Sequence, residues 1–267
     1  MANDQPARGS HRHARSAQIA RAVDALVVAR SVAVVTGAGM SAESGVPTFR
    51  GAGGLWRQFR PEDLATPEAF ARNPALVWEW YWWRRRKIAD ARPNPGHVTI
   101  AHFESRFPEF VVLTQNVDGL HQDAGSRRLL ELHGNIWRAR CTREPGRIID
   151  ERGRPIPDVD LDTPAVAPAL PTCEACGALL RPDIVWFGEP LDQATLDSAA
   201  AVRSCDVLFV VGTSAVVYPA AGLPGLAKRH GAVVIEVNVD ETPFTREADI
   251  VLEGPSGVVL PEIEARL

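Results

Sequence analysis

An α/β fold built on a parallel sheet with helices on both faces is predicted by three observations. First, short apolar runs recur at Val32–Val35, Phe110–Leu113, Val207–Val211, Val233–Val237 and Ile250–Leu252. Each has the length of a strand, and the first four are almost uninterrupted, as in strands buried on both sides. Second, stretches long enough for helices separate the runs, such as Leu191–Arg203 and Ala220–His230, and that alternation marks a parallel sheet. Third, polar or glycine clusters close the runs: Thr36-Gly37-Ala38-Gly39, Thr114-Gln115-Asn116, Gly212-Thr213-Ser214 and Asn238. Ligands of doubly wound sheets sit beyond the carboxyl ends of the strands. Four such clusters therefore predict one crevice.

Taken in chain order, the first 16 residues are polar and bear His and Arg, without the apolar core of a signal peptide. They read as a disordered leader before a single domain over residues 17–267. The strand Val32–Val35 then opens a Rossmann-like core. Two segments interrupt that core. Residues from about 51 to 95 hold helix-like stretches and most of the tryptophans, and residues from about 138 to 180 are rich in Pro, Asp and Arg and hold three cysteines. Together these insertions predict a second, smaller lobe.

Composition excludes several classes. With 267 residues and 45% hydrophobic side chains, the chain can bury a sizeable core, so global disorder is not expected. A formal net charge of −4 gives no general drive toward nucleic acid or a membrane surface. No apolar run approaches the roughly 18 residues of a membrane span. The cytoplasm is the default compartment, where four cysteines are not expected to form a disulfide framework. Cys205, beside Val207–Val211, reads as a small buried hydrophobe.

After the first strand comes Gly37-Ala38-Gly39-Met40-Ser41-Ala42-Glu43-Ser44-Gly45. Glycines there let backbone N–H groups approach a pyrophosphate, and a following helix start favours negative charge. The third glycine is displaced from the usual dinucleotide spacing, and no Lys-Ser/Thr ending makes a P-loop. The continuation joins up as TGAGMSAESGVPTFRG. Further along come Thr114-Gln115-Asn116-Val117-Asp118-Gly119-Leu120-His121, Glu131-Leu132-His133-Gly134, Val185-Trp186-Phe187-Gly188-Glu189, Val211-Gly212-Thr213-Ser214 and Glu236-Val237-Asn238. In that order, and across nearly the whole chain, these motifs closely resemble the sirtuins, NAD-dependent protein lysine deacylases.

The resemblance implies a reaction in which NAD loses nicotinamide and the acyl-lysine amide oxygen is captured by the ribose. The products are nicotinamide, free lysine and O-acyl-ADP-ribose. It implies that Gly37, Ala38, Gly39, Ser41, Glu43 and Trp56 belong to the cofactor site, that Phe49 shields the reacting face, and that Arg50 orders the cofactor loop. Gln115 would contact a ribose hydroxyl, Asn116 a water near the ribose, and Asp118 the nicotinamide carboxamide. Gly212, Thr213 and Ser214 would hold phosphate or ribose, Asn238 the adenosine ribose, and Ser256 the adenine side. His133 is the candidate general base, since a neutral imidazole can take a ribose hydroxyl proton near neutral pH. Val185, Phe187, Gly188 and Glu189 match the segment that pairs with substrate backbone as an added strand. The implied partners are acyl-lysine proteins or peptides.

Two features bear on metal and substrate choice. Cys173-Glu174-Ala175-Cys176 has zinc-knuckle spacing, but its earlier half reads Cys141-Thr142-Arg143-Glu144, with Glu144 where relatives that bind zinc carry a second cysteine. Three readings stand open: zinc on three cysteines and Glu144, zinc on three cysteines and a water, or a lost site. Three matching cysteines favour structural zinc. Tyr81 and Arg84 lie three apart on one helix face and match the Tyr-x-x-Arg of sirtuins that remove succinyl and malonyl groups. There a forked guanidinium would take the distal carboxylate, with Ala65 adding room. Acetyl-lysine would remain a substrate. The rival readings are a mono-ADP-ribosyltransferase on the same fold and a non-catalytic NAD or ADP-ribose sensor.

Overall fold

The computed structural model describes residues 6–49, 55, 60–159, 168–191 and 200–267, with side chains left undescribed at 6–14, 200 and 201. Its centre is a six-stranded sheet in the order β3-β2-β1-β7-β8-β9, with every neighbouring pair parallel. The strands are β1 (Ser31–Thr36), β2 (Glu109–Thr114), β3 (Leu129–Glu131), β7 (Val207–Val211), β8 (Val233–Asn238) and β9 (Ile250–Glu253). All five apolar runs are therefore strands. β1 lies between β2 and β7, so the strand order reverses beside it. That reversal opens a crevice at the carboxyl edge.

Alternation along the strands divides the core in two. Val32, Val34, Val207, Phe209 and Val211 face one side, packed against Ile19 and Leu26 of α1 (Pro6–Val28), Phe103 of α5 (Pro95–Arg106) and Leu260 of the C-terminal helix Ser256–Glu264. Ala33, Val35, Leu208 and Val210 face the other, against Val202, Leu223 and Ala227, the last two on the helix Leu223–Arg229. Both faces are sealed, so β1 and β7 are buried throughout. Truncating Phe209 to Ala in such a core would cost about 3–5 kcal/mol.

The smaller lobe joins α2 (Pro61–Leu64), α3 (Pro67–Arg72) and α4 (Pro74–Ala89) to an antiparallel sheet, β5-β4-β6. Its strands are β4 (Gly134–Cys141), β5 (Ile148–Asp150) and β6 (Leu180–Ile184). Thr66 and Asn73 cap α3 and α4, each followed by proline, whose missing N–H costs nothing in a first turn. Val77, Trp78, Trp80 and Trp82 of α4 share one buried cluster with Ile136, Cys141, Leu180 and Trp186. The Trp78 indole donates to the Leu180 carbonyl at 2.8 Å. Arg85, buried with Glu151 at 2.7 Å, also donates to the Ile136 carbonyl, fixing α4 against β4.

Several expectations need correction. The structure describes helix from Pro6, and Arg15 pairs with Glu262, so the stretch read as a leader is largely part of α1. The second insertion is wider than 138–180, since its sheet begins at Gly134 and ends at Ile184. The helix expected directly after β1 is a 3-10 segment, Ala38–Ser44, ended by Gly45 in left-handed conformation. Of the helix expected over Leu191–Arg203, residues 192–199 lie outside the described residues, and a 3-10 turn, Ala200–Ser204, follows. No helix among the described residues is long and apolar enough to cross a membrane.

Candidate active site

One cavity of about 1000 Å³ lies at the carboxyl edge of β1, β7 and β8 and reaches between the lobes. Its wall brings together Gly37, Ala38, Gly39, Glu43, Phe49, Gln115, Asn116, His133, Gly212, Thr213, Ser214, Asn238 and Ser256 with Ala65, Tyr81, Arg84, Val185, Phe187, Gly188 and Glu189. Ser41 and Asp118 are buried beneath that wall. The expectations for Arg50 and Trp56 lie outside the described residues. Residues not singled out from the sequence also line the cavity, among them Trp80, Trp186, Val216 to Pro219 and Val239 to Pro243. Their signal was position alone: Trp80 precedes Tyr81, Trp186 lies within Val185–Glu189, and the rest follow Thr213-Ser214 and Asn238.

The floor is made of backbone. Gly39 N–H donates to the Gly212 carbonyl at 2.7 Å, and Gly37 N–H to Val211 at 3.0 Å. A Cβ on Gly39 would come within 2.8 Å of the Gly212 oxygen, and one on Gly212, at φ 58°, within 2.2 Å of the Met40 nitrogen. Only glycine permits this clasp. It leaves a surface of small residues against which a pyrophosphate can lie, so the floor fits a dinucleotide. Glu43 reaches away from it, accepting from Gly257 N–H at 2.7 Å and lying 3.4 Å from the Ser256 hydroxyl. It thus holds the start of the C-terminal helix. Asn238 donates to the Thr213 carbonyl, and Gln115 to the Thr213 hydroxyl.

Beneath the floor runs a buried polar chain. His97 Nδ1 accepts from Asn94 N–H, so its Nε2 carries the proton and faces the Ser41 hydroxyl at 3.4 Å. Asn116 donates its amide N–H to the same hydroxyl at 3.1 Å, leaving its amide oxygen without a protein donor among the described residues. With two donors aimed at its oxygen, Ser41 has its own proton for the Asp118 carboxyl, which it helps to stabilise. Burial nonetheless raises Asp118 above the usual carboxylate range, against Leu120 N–H, Ser41 and Arg84. Beside it, Thr36 donates to Thr114 at 2.8 Å, so His121 Nε2–H donates to Thr36 at 3.0 Å. Burial pushes His97 down to about 4 and His121, next to His97, to about 3, so both stay neutral.

His133 stands at the cavity wall with Nδ1 3.2 Å from the Gln115 carbonyl oxygen. A carbonyl only accepts, so Nδ1 carries the proton and Nε2 keeps its lone pair. Burial lowers this imidazole's pKa, and the Gln115 contact partly opposes the shift. The ring is therefore the neutral tautomer that a general base requires. The next residue, Gly134, has φ 80°, and a Cβ there would lie 2.1 Å from the Asp183 carbonyl oxygen. The turn out of Glu131-Leu132-His133 depends on that missing side chain.

Across the cavity, the Arg84 guanidinium lies over Phe49 and Trp80 at 4.8 Å and over Tyr81 at 5.5 Å. Among the described residues it makes no ion pair. Burial lowers its pKa, countered by Tyr81 and Asp118. Starting from a guanidinium value, it still holds a positive charge. Ala65 lines the same end, its carbonyl accepting Phe187 N–H at 2.9 Å. Glu189 is engaged internally rather than left for a substrate. It binds Arg181 through both oxygens and accepts Trp186 N–H at 2.9 Å. Burial opposes its ionisation, but these donors outweigh burial and hold it below the usual carboxylate range.

The sulfurs of Cys141, Cys173 and Cys176 lie within 4.8 Å of one another in the small lobe. Burial resists ionisation of Cys141, yet the N–H groups of Glu144 and Arg143 and the two neighbouring thiols lower its pKa. Such a set suits a thiolate-bound zinc. Glu144 does not join it: its carboxylate pairs with Arg147 at 2.8 Å, and only its backbone N–H turns to Cys141. In this structure Glu144 therefore stands apart from the three cysteines. Cys205 is buried, and burial pushes its thiol up to about 11.

Residues 37–219 match the sequence profile of the Sir2 family. The chain is 55% identical over 241 residues to "NAD-dependent protein deacylase 2" of Pyrobaculum aerophilum, covering 90% of this chain and 92% of that one. A solved Sir2 homolog–NAD complex is 44% identical and superposes with a TM-score of 0.83, covering 92% of this chain and 93% of the other. A Sir2 variant solved with a deacetylated p53 peptide and 3′-O-acetyl ADP ribose is 30% identical, with a TM-score of 0.80 over 93% of this chain and 98% of its own.

Proposed function

The chain belongs to the Sir2 family and is an NAD-dependent protein-lysine deacylase, and from that premise we propose that it acts on acyl-lysines ending in a carboxylate, succinyl and malonyl, as well as on acetyl-lysine. The observation that carries the finer reading is Arg84, a buried cation without an ion-pair partner among the described residues, facing the cavity from an aromatic wall. Leaving such a charge unpaired is costly, so a carboxylate arriving there gains a charge-assisted pair that an acetyl group cannot make.

When bound, NAD supplies an electrophilic ribosyl carbon with nicotinamide as the leaving group. The glycine floor, Thr213, Ser214 and Asn238 would hold its phosphates and adenosine ribose, and Asn116 and Asp118 its nicotinamide end. Phe49 screens the cavity from water, which would otherwise compete with the weak amide nucleophile. Excluding water and holding the two reactants in line supply much of the rate. His133 Nε2 would take the ribose hydroxyl proton as that oxygen accepts the acyl group, and one water admitted after nicotinamide has left would complete release of the lysine amine. The Val185–Glu189 segment pairs with substrate backbone, Glu189 acting through Trp186 rather than on the peptide. Cys141, Cys173 and Cys176 would hold zinc as a structural ion. The cytoplasm is the proposed setting, where free thiols persist. Since an acyl-binding end adjoins His133 in one cavity, deacylation is favoured over ADP-ribosyl transfer to protein.

Mass spectrometry of an incubation with NAD and a peptide carrying succinyl-, malonyl- or acetyl-lysine tests this reading. The expected outcome is free lysine, nicotinamide and O-acyl-ADP-ribose, with acidic acyl groups removed at least as efficiently as acetyl. Acetyl removal alone would refute the substrate proposal, and ADP-ribosylated peptide would point to the transferase.

A further inference from the structure

We propose that Trp186 is the residue that aims the Tyr81 hydroxyl proton into the acyl pocket, and so acts as a positioning residue for acyl choice. This rests on the carboxylate reading of Arg84. Both side chains are almost wholly buried, Trp186 at 3% and Tyr81 at 1% relative exposure, and the Trp186 Nε1–H lies 2.9 Å from the Tyr81 oxygen. An indole nitrogen can only donate. The phenol oxygen is therefore the acceptor, and its own proton must point elsewhere. No acceptor for it stands among the described residues, while Tyr81 lines the cavity beside Arg84. Burial raises the phenol's pKa despite the neighbouring guanidinium, so the proton is present. Arg84 and Tyr81 thus offer a cationic fork and a neutral donor to one visiting carboxylate.

Trp186 is itself held. The Arg181 guanidinium stacks on its ring at 3.5 Å, and Glu189 ties Arg181 to the Trp186 backbone N–H. That clamp belongs to Val185–Glu189, the segment proposed to pair with substrate backbone. The orientation of the hydroxyl is thereby fixed before a substrate arrives. Preorganised donors avoid a reorganisation cost when the ligand binds.

The test is a double-mutant cycle read as the ratio of kcat/KM on succinyl- to acetyl-lysine in one peptide. Trp186→Phe should lower the ratio by about fivefold, the worth of one neutral hydrogen bond, while the thermal midpoint followed by circular dichroism reports that the fold survives. Tyr81→Phe should lower it at least as much, and the double variant no further, because both act through one proton. Replacing the Trp186 indole by its benzothiophene analogue, which keeps the shape and removes the N–H, should repeat the Trp186→Phe effect. Loss of the ratio to the same extent in the Tyr81→Phe background would overturn the proposal, as would equal losses on both acyl groups. A ratio moved by Arg84→Met and Tyr81→Phe but untouched by either Trp186 change overturns this proposal alone. A ratio unmoved by Arg84→Met overturns the carboxylate reading and this proposal with it.

Discussion

At the carboxyl edge of the parallel sheet, Gly39 and Gly212 approach so closely that neither can carry a Cβ, whereas the opposite wall of the same cavity is built from Phe49, Trp80, Tyr81 and Arg84. The first region presents backbone and neutral hydrogen bonds. The second presents a buried charge in an aromatic setting. Backbone can hold a constant ligand such as a dinucleotide but discriminates little among side groups. A positioned guanidinium discriminates strongly, because its buried charge gains a partner from one acyl group and not from another. On the proposed reading, the large lobe is the place for shared chemistry and the small lobe for substrate choice. Variants on the two sides should fail in different ways.

The largest expected effect belongs to the shared side. His133→Ala removes the Nε2 lone pair but none of the glycine floor. Deacylation of every acyl-lysine should fall by about 10²–10⁴-fold, the usual worth of a general base, with NAD affinity measured by calorimetry little changed. Near-normal turnover would mean that another group takes the proton. On the small-lobe side, about one zinc per chain is expected by elemental analysis of protein purified without chelator. Cys173→Ser should then lower the thermal midpoint, since binding energy at a structural metal is folding energy. Protein free of zinc would favour a lobe that packs around its thiols alone.

Next in size comes the substrate end. Arg84→Met should reduce kcat/KM on succinyl-lysine by roughly 10- to 100-fold while sparing acetyl-lysine, since a hydrogen bond to a charged group is worth about 1.5–3 kcal/mol. Tyr81→Phe should do the same more weakly. Equal losses on both substrates would reduce the aromatic wall to packing and erase the contrast between the two sides.

The sequence displayed the large lobe more fully than the small one, for physical reasons. Val32–Val35 and Val207–Val211 are buried on both faces and so read as unbroken apolar runs, while the polar residues closing them must face the crevice. The small lobe depends on pairings distant in sequence. β5 is three residues long and mostly exposed, and nothing local announces that Arg138 and Arg140 would both pair with buried Asp183. Glu144 looked like a ligand because of its spacing, but spacing does not say which way a carboxylate turns, and Arg147 lies three residues on. Where a helix was expected after β1, the Gly39–Gly212 clasp holds the chain in a tighter 3-10 turn. Nothing in the sequence says that His97 and His121 meet. Only the fold brings them 4.9 Å apart under the cofactor floor.

That histidine pair gives the last and smallest expected effect, and it belongs to the large lobe. In the unfolded chain both imidazoles titrate near 6.5, whereas in the fold burial holds His97 at about 4 and His121 at about 3. Below 6.5 the unfolded state therefore binds protons that the native state refuses. The stability they contribute is intact above that pH and is lost progressively as pH falls toward 4 and then 3. At pH 5 the loss from His97 alone is about 2 kcal/mol, from the roughly 1.4 kcal/mol per pKa unit over about 1.5 units. His121 has less room to relax, because its Nδ1 has no partner among the described residues to receive a proton from the charged ring. Denaturant unfolding at pH 7, 6 and 5 should show this decline, and His97→Asn should flatten it. The asparagine can still accept from Asn94 N–H, so the cap of α5 survives while the titrating ring is gone. A pH slope unchanged in His97→Asn would mean that the acid sensitivity lies in other groups.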